Sequence, residues 1–515
     1  MKRLLKFMFS RVFIVCFLLA ATIAVITAFM YIFQDQAVYW RTILIAVRII
    51  AALLIINNKS NPAYKIAWLL PMIISPMVGG VFYLILGGNK PSKRRWKKIN
   101  RIEWQMRQNL PTAQQYEPVL RSIAAESNDA ALQSRYIARS AFCPPYYNTE
   151  TEFLPGGEIK FARLKEELRK AKHYIFLEYF ILEEGKMWNE VLEILKYKAK
   201  NGVDVRIIYD DFGCINKKLP HHYDQELRKM NIKCCVFNPF RPILSAVVNN
   251  RDHRKIAVID GHTGITGGIN LADEYINIGS KFGHWKDASI LLKGEGVWSL
   301  TVMFLSMWGY LTGRDENYDQ YRPYLHRDGD LRTPGVVQPY IDSPWDNKAI
   351  GENVYLNMIT RAKRYLYIST PYLILSNEIV SALQNAAMSG VDVRIITPHI
   401  PDKKFVFEIT RANYDQLIEK GVKIYEYTPG FIHAKVFVSD DEYATVGTIN
   451  LDYRSLYLHF ECGVWMFRTN SVMDIKNDYL LTLNKCQQIT RQFCKKTPWY
   501  RRLFRSVLNA FSPLL

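Results

Sequence analysis

Hydrophobic and polar positions follow two regimes along this chain. Residues 1–89 carry long uncharged runs at 12–33 and 66–86, and a shorter apolar stretch at 42–56 that contains Arg48. A helix needs about 20 apolar residues to cross a hydrocarbon core of about 30 Å. The run at 12–33 therefore predicts a retained membrane span, because the apolar part of a cleaved signal peptide is only about 7–15 residues long. Pro71, Pro76, Gly79 and Gly80 interrupt the run at 66–86, which predicts a kinked span or a re-entrant hairpin. The stretch at 42–56 is short for a span, and a mid-helix Arg is costly there. Beyond residue 135 the pattern changes to short runs of alternating and helical period. YIFLEY at 174–179 reads as a strand, 188–199 as an amphipathic helix and VDVRII at 203–208 as the next strand. That β-α-β order predicts a layered α/β domain.

The order then recurs. GVDVRII stands at 202–208 and again at 390–396, preceded by AKHYIFLEYFIL from Ala171 and by AKRYLYISTPYLIL from Ala362. Identity in matching context marks an internal duplication. The predicted fold is α/β: two duplicated domains, each a layered mixed β-sheet flanked by helices, related by a pseudo-twofold axis and preceded by an α-helical transmembrane region. The expected boundaries are 1–89 for the transmembrane region, 90–135 for a basic juxtamembrane linker, 136–330 and 331–498 for the repeats, and 499–515 for a C-terminal amphipathic helix.

Charge adds a partner class. The chain has 515 residues, 49% hydrophobic and 22% charged, with 67 Lys plus Arg against 48 Asp plus Glu, a net charge of +19. That composition excludes a mainly disordered chain and a wholly membrane-embedded one. The positive excess points to nucleic acid or an anionic lipid surface, and the apolar N-terminal runs favour lipid. Lys and Arg flank the first run and are dense after the last, from Lys90 to Arg107. By the positive-inside rule both ends are cytoplasmic. An even number of crossings follows, so the middle or third segment is expected to enter the membrane without crossing it. Eight cysteines without a C-x-x-C pair give no support to a zinc ribbon, a thioredoxin-like site or a disulfide scaffold. They read as packed free thiols.

The duplication carries the candidate chemistry. His253, Lys255, Asp260 and Asn270 in the first repeat match His433, Lys435, Asp440 and Asn450 in the second, each set spaced H-x-K-x4-D-x6-G-x2-N. On a strand, positions i and i+2 share a face, so each His and its Lys point the same way. Asp260 and Asp440 close their strands at a turn, and Asn270 and Asn450 end the neighbouring ones. Two such faces brought together make a pocket suited to a phosphodiester. Lys and Asn would hold phosphate oxygens and stabilise transition-state charge. One neutral imidazole would attack phosphorus and a protonated one would serve the leaving group. Asp287 and Glu461 each precede an apolar strand in equivalent places, and are candidates to fix the tautomers of the histidines through the far ring nitrogen. The lysines supply the positive charge, so no metal and no cofactor are expected.

These residues resemble the paired H-K-D signature of the phospholipase D superfamily. With its N-terminal apolar module, the chain is similar to bacterial cardiolipin synthases from about Ile45 to the C-terminus. NPAYKIAWLLPMIISPMVGGVFYLILG from Asn61, GHWKDASILLKGEGV from Gly283, NLDYRS from Asn450 and the terminal SPLL share that likeness. The resemblance implies two phospholipase D-like domains on a multi-pass membrane protein with cytoplasmic catalytic domains. It implies catalytic roles for His253, Lys255, Asp260, His433, Lys435 and Asp440, with His253 as nucleophile. Two phosphatidylglycerol molecules would give cardiolipin and glycerol through a phosphatidyl-histidine, with anionic membrane lipids as partners and no nucleic acid or protein partner implied. A hydrolytic phospholipase D or another phosphatidyltransferase of the same superfamily is the nearest competing reading, and a nuclease of that superfamily or a non-enzymatic membrane scaffold a more distant one. Three features depart from the family pattern: Thr448 where Ser is common, His459 where Asn is usual, and the extra run at 12–33.

The C-terminus has a pattern of its own. Trp499, Leu503, Val507 and Phe511 recur every four residues beside Phe504 and Leu508, with Arg501, Arg502 and Arg505 toward the other side. The stripe suits either core packing or the lipid interface. Three Arg without an acid favour the interface.

Overall fold

The computed structural model describes residues 37–57, 61–74, 79–80, 83, 93–215, 219–220, 222–239, 249–279, 281–323, 333–346 and 348–514. The chain divides into two compact units, one from 1–91, 240–250 and 506–515, the other from 92–239 and 251–505.

In the first unit, helices span Ala37–Asn57 and Pro62–Ile74. The expected span at 12–33 lies outside the described residues. The segment 42–56 lies within the first of these helices, and the second covers part of 66–86. Among the described residues, no helix is long and apolar enough to cross a membrane.

The second unit contains the duplication. Its first half has strands β1 (Thr149–Leu154), β2 (Tyr174–Tyr179), β3 (Asp204–Asp210), β4 (Lys233–Phe237), β5 (Arg251–Asp252), β6 (Ile256–Ile259), β7 (Thr263–Gly267), β8 (His284–Lys286) and β9 (Ser289–Gly294). Its second half has β10 (Val336–Asp342), β11 (Tyr365–Ser369), β12 (Asp392–Pro398), β13 (Lys423–Tyr427), β14 (Gly430–Ile432), β15 (Val436–Ser439), β16 (Tyr443–Gly447), β17 (His459–Phe467) and β18 (Cys486–Ile489). One sheet runs β1-β9-β7-β6-β2-β3-β4 and the other β10-β17-β16-β15-β11-β12-β13-β18. Strand for strand the order is the same, with β18 added at one edge. Parallel β2-β3-β4 and β11-β12-β13 follow from the βαβ crossovers, and the remaining pairs within each sheet are antiparallel. The sheets are therefore mixed, as the repeat predicted.

Strand alternation explains how each sheet is buried on both faces. In β2, Ile175 and Leu177 face helices Gly157–Lys170 and Lys186–Lys200 on the outer side, while Tyr174 and Phe176 face a larger core shared by both halves. Helix Val297–Thr312 is apolar on every side and buried along most of its length, as expected of a helix enclosed by other elements. Its Phe304 stacks on Phe176 at 4.5 Å.

Residues 90–135, expected to be a linker, instead contribute helices Lys93–Asn109, Ala113–Glu126 and the start of Asn128–Ser140. Met106, Leu110, Leu120, Ile123 and Ala130 join the larger core. Thr112 begins the second helix with a capping box to Gln115, and the Ser127 hydroxyl accepts Ala130 N–H at the start of the third. The basic residues conceal an apolar stripe at helical spacing. Seven described cysteines are free, four of them buried.

Two short pairings cross between the halves. Strand β5 lies parallel to the start of β17, and β8 lies parallel to β14. These crossings build the site.

Candidate active site

Each candidate histidine follows one of the crossing strands. His253 leaves β5, and its backbone N–H donates to Phe460 O at 2.9 Å. His433 leaves β14, and its N–H donates to Lys286 O at 2.7 Å. The residue after each acceptor carbonyl is an acid of the opposite half, so the backbone register aims a ring at a carboxylate. His253 Nδ1 lies 2.9 and 3.0 Å from the two oxygens of Glu461. His433 Nδ1 lies 2.7 Å from Asp287 Oδ2. With Nδ1 engaged, Nε2 is the nitrogen available for chemistry on each ring.

Lys255 and Lys435 sit two residues on and are buried. Each ammonium donates to the carbonyl of its own motif histidine. Burial pulls Lys255 down to about 8, against the pull of Glu461. Burial pulls Lys435 down to about 7, with Asp287 opposing and Lys255 adding to the fall. Both histidines are also held below their ordinary value. For His253 the causes are burial, then the charges of Lys255, Lys435, His433 and Lys403. His433 falls to about 4 through burial and Lys435, with Asp287 acting against them. Groups from both halves thus bear on one another electrostatically, as members of one pocket.

The acids are held differently. Glu461 accepts hydrogen bonds from Thr448 Oγ1 and Ser455 Oγ as well as facing His253. Asp287 accepts Ala288 N–H at 2.7 Å. Burial would raise the Asp287 carboxyl, but His433, Lys435 and that N–H together hold it below its ordinary value. The surroundings of the two imidazoles differ too. Phe180 lies 5.0 Å and His459 5.5 Å from His253. Trp285, Tyr275 and Phe431 lie 5.4, 5.7 and 5.9 Å from His433.

The asparagines diverge. Asn270 accepts Ile181 N–H at 3.1 Å and donates to Tyr275 OH at 2.6 Å, so its amide braces the pocket wall. Asn450 gives its backbone N–H to Ser455 Oγ at 2.9 Å, and its buried Oδ1 has no hydrogen-bond partner among the described residues.

Asp260 and Asp440 require a correction, because they do not enter the pocket. Each ends the strand that the Lys begins, five residues on, about 16 Å at ~3.3 Å per residue. Asp260 accepts backbone N–H from Lys172, His173 and Tyr174 at 2.7–2.8 Å. Asp440 accepts those of Lys363, Arg364 and Tyr365 at 2.7–3.0 Å. Both have positive φ, 50° and 59°, a conformation that Asp tolerates better than most residues. They clasp the turn to the start of the neighbouring strand.

Several neighbours were not singled out as site residues in the sequence. Thr448 and Ser455 stand within the quoted motifs, yet their grip on Glu461 depends on the fold. Lys403 follows β12 and lies close enough to depress His253. Buried Lys160 donates to Tyr179 OH at 3.0 Å, and burial pulls it down to about 7 against Asp287. Nothing in the local sequence separates these two lysines from surface ones. His459 Nδ1 lies 3.7 Å from Glu461 Oε1, beyond hydrogen-bonding range, and burial takes its ring down to about 3. The ligand atoms of His253, His459 and Glu461 lie within 4.8 Å of one another and could receive a metal ion. Glu461, however, already takes hydrogen bonds from two hydroxyls.

The sequence compares closely with known proteins. A family described as "Cardiolipin synthase, PLD-like domain" matches residues 164–279 and 355–480, and one described as "Phospholipase_D-nuclease N-terminal" matches 46–88. A cardiolipin synthase of Halalkalibacterium halodurans is 36% identical over 92% of this chain and 93% of its own length. The chain belongs to the cardiolipin synthase family. Another family member, from Geobacillus kaustophilus, is 36% identical over 98% of this chain and 99% of its own length. Among solved structures, phosphatidylserine synthase of Haemophilus influenzae shares the fold, with a TM-score of 0.56 at 14% identity, covering 75% of this chain and all of that one.

Proposed function

We propose that this enzyme is a cardiolipin synthase that moves a phosphatidyl group from one phosphatidylglycerol to the hydroxyl of another. The observation that carries the reading is the pair of histidines, each with Nδ1 on a carboxylate of the opposite half and a buried lysine two residues away. His253 Nε2 attacks phosphorus and the bond to the glycerol oxygen breaks. His433 gives its proton to that oxygen, and glycerol leaves. A phosphatidyl-histidine remains. The second lipid's hydroxyl then gives its proton to His433 and attacks phosphorus, releasing His253 and forming cardiolipin. One phosphodiester replaces another, so no nucleotide is consumed.

Both rings are held below their ordinary value, and the assignment turns on which carboxylate opposes that fall. A nucleophile must be neutral, and burial with several neighbouring cations keeps His253 so. Asp287 opposes the fall of His433, and a bound phosphodiester anion raises its proton affinity further. Lys255 and Lys435 stabilise the charge gathering on the phosphoryl oxygens. The unpartnered amide oxygen of Asn450 suits a substrate hydroxyl. Asp260 and Asp440 serve as structural clasps. The segments 12–33, 42–56 and 66–86 hold the enzyme in the cell membrane as a multi-pass protein with cytoplasmic catalytic domains.

Incubation with phosphatidylglycerol labelled in its glycerol headgroup tests the reading. Cardiolipin with free glycerol is expected, unchanged in EDTA. Phosphatidic acid as the main product would mean a hydrolase. Absence of lipid turnover would favour a nuclease or a scaffold. Loss of turnover in EDTA, restored by one divalent ion, would make the centre a metal site.

A further inference from the structure

The C-terminal helix Trp499–Ala510 is turned opposite to the usual arrangement on a protein surface. An amphipathic helix normally buries its apolar stripe and leaves its basic residues in water. Here Arg505 is drawn inward onto Glu408 and Arg501, still exposed, reaches the same carboxylate, with Arg505 Nε at 2.7 Å and Arg501 Nε at 3.2 Å from Glu408 Oε2. Arg505 is only 9% exposed, whereas Trp499 is 71%, Leu503 58% and Phe504 44% exposed. The ion pairs fix the rotation of the helix, so the outward apolar face is set by structure.

A second exposed aromatic continues this face. Phe405 is 63% exposed and its ring lies 6.4 Å from that of Phe504. Phe405 belongs to helix Lys404–Ala412, which also carries Glu408. Exposed Lys403 and Lys404 stand at the start of this helix, immediately before Phe405. Lys403 lies over the Tyr372 ring at 5.4 Å and is one of the charges that depress His253. The Tyr372 ring lies 6.5 Å from that of Phe431, which lies 5.9 Å from His433, so a short run of side chains joins the apolar face, through a cationic rim, to a motif histidine.

We infer that Trp499, Leu503, Phe504 and Phe405 insert into an anionic bilayer beside the pocket mouth, with Lys403 and Lys404 at the phosphate level. Exposed aromatic and aliphatic side chains beside lysines match the layering of an anionic bilayer, with apolar chains below phosphates. The occupant is thus a lipid surface. The inference rests on the proposed lipid substrate and adds how that substrate is reached: the second repeat rides on the membrane by its own surface, apart from any N-terminal anchor.

The full-length protein in vesicles of phosphatidylglycerol and brominated phosphatidylcholine tests this. Bromine quenching of tryptophan emission should contain a component that disappears in Trp499→Phe. The double variant Leu503→Glu/Phe504→Glu should raise the apparent KM for phosphatidylglycerol in vesicles by about tenfold with kcat kept. Its rate on dispersed short-chain phosphatidylglycerol should stay within about twofold of wild type, and its unfolding midpoint should be unchanged. Identical quenching in wild type and Trp499→Phe would overturn the inference. So would an unchanged vesicle KM, or a large fall in the unfolding midpoint, which would mean the face is packed against protein. If a second copy covers the face, the double variant would change the oligomeric state in detergent, which also overturns it. Failure of the synthase reading is separate: wild type would then make no cardiolipin, while the Trp499-dependent quenching is still measured.

Discussion

The two halves of the pocket hold the same residues in unlike surroundings. His253 faces a carboxylate clasped by two hydroxyls, with a second imidazole nearby. His433 faces a carboxylate held by one backbone N–H, within an aromatic wall of Trp285, Tyr275 and Phe431. The amides differ likewise, since Asn270 is hydrogen-bonded at both its oxygen and its nitrogen, whereas Asn450 Oδ1 has no partner among the described residues. Duplication supplies two equal reagents, but an attacking base and a proton donor need opposite protonation states. In the proposed mechanism the shell around each ring, rather than the motif, divides the work.

The largest effect that would break this division is loss of either ring. His253→Ala and His433→Ala should each lower turnover by about 10⁴-fold or more, because the groups act as a unit. Only His433→Ala should accumulate a phosphatidyl-histidine, with an activated donor whose leaving group needs no proton. Near-wild-type activity in either variant would defeat the paired mechanism.

Exchange of the acids should separate the halves by pH. In Asp287→Asn the group opposing burial at His433 is gone, so the ring, already near 4, loses its proton at still lower pH. A proton donor must be protonated, so the alkaline limb of kcat, which reports the substrate-bound enzyme, should move down, and activity at pH 7 should fall by about 10²–10⁴-fold. Glu461→Gln likewise lowers the proton affinity of His253. A nucleophile must be neutral, so here the acid limb should move down, and the loss at pH 7 should be nearer tenfold. If the same limb moves in both variants, the assigned roles are wrong.

The lysines should be less discriminating. Lys255→Met and Lys435→Met should each cost about 3 kcal/mol of transition-state stabilisation, roughly 10²-fold in kcat. Unequal losses would show which half carries more of the phosphoryl charge.

The smallest catalytic effect belongs to the motif aspartates. Asp260→Ala and Asp440→Ala each leave three backbone N–H groups without their acceptor. Thermal unfolding should show each destabilised by about 2 kcal/mol, with kcat near wild type well below the midpoint. A large loss of kcat in a folded Asp→Asn variant would return these residues to the chemistry.

Much of this was legible because it repeats. GVDVRII at two places, with matching flanks, is local information and announced a duplicated mixed sheet, while the order of strands within each sheet came only from the structure. The H-x-K spacing paired each lysine with its histidine, but not by strand geometry: His253–Lys255 and His433–Lys435 lie in the links between β5 and β6 and between β14 and β15. Asp287 and Glu461 were found as the acids beside equivalent apolar runs, although Glu461 stands inside β17 rather than before it. Other features misled for local reasons. The charges of 90–135 masked an apolar stripe that packs as helices, and the motif aspartates shared a signature with the reacting groups while serving a turn.

What the sequence by itself determined is the duplicated α/β architecture and the inventory of the pocket. Tertiary structure alone decided which acid serves which ring. The β5–β17 and β8–β14 pairings cross between the halves, so Glu461 reaches His253 and Asp287 reaches His433. Partners separated by 208 and 146 positions leave no trace in local spacing. The rotation of the last helix was decided in the same way, by Glu408 on a distant helix taking both Arg501 and Arg505. Periodicity defines a stripe, but which side of a helix faces the protein depends on the groups it meets there.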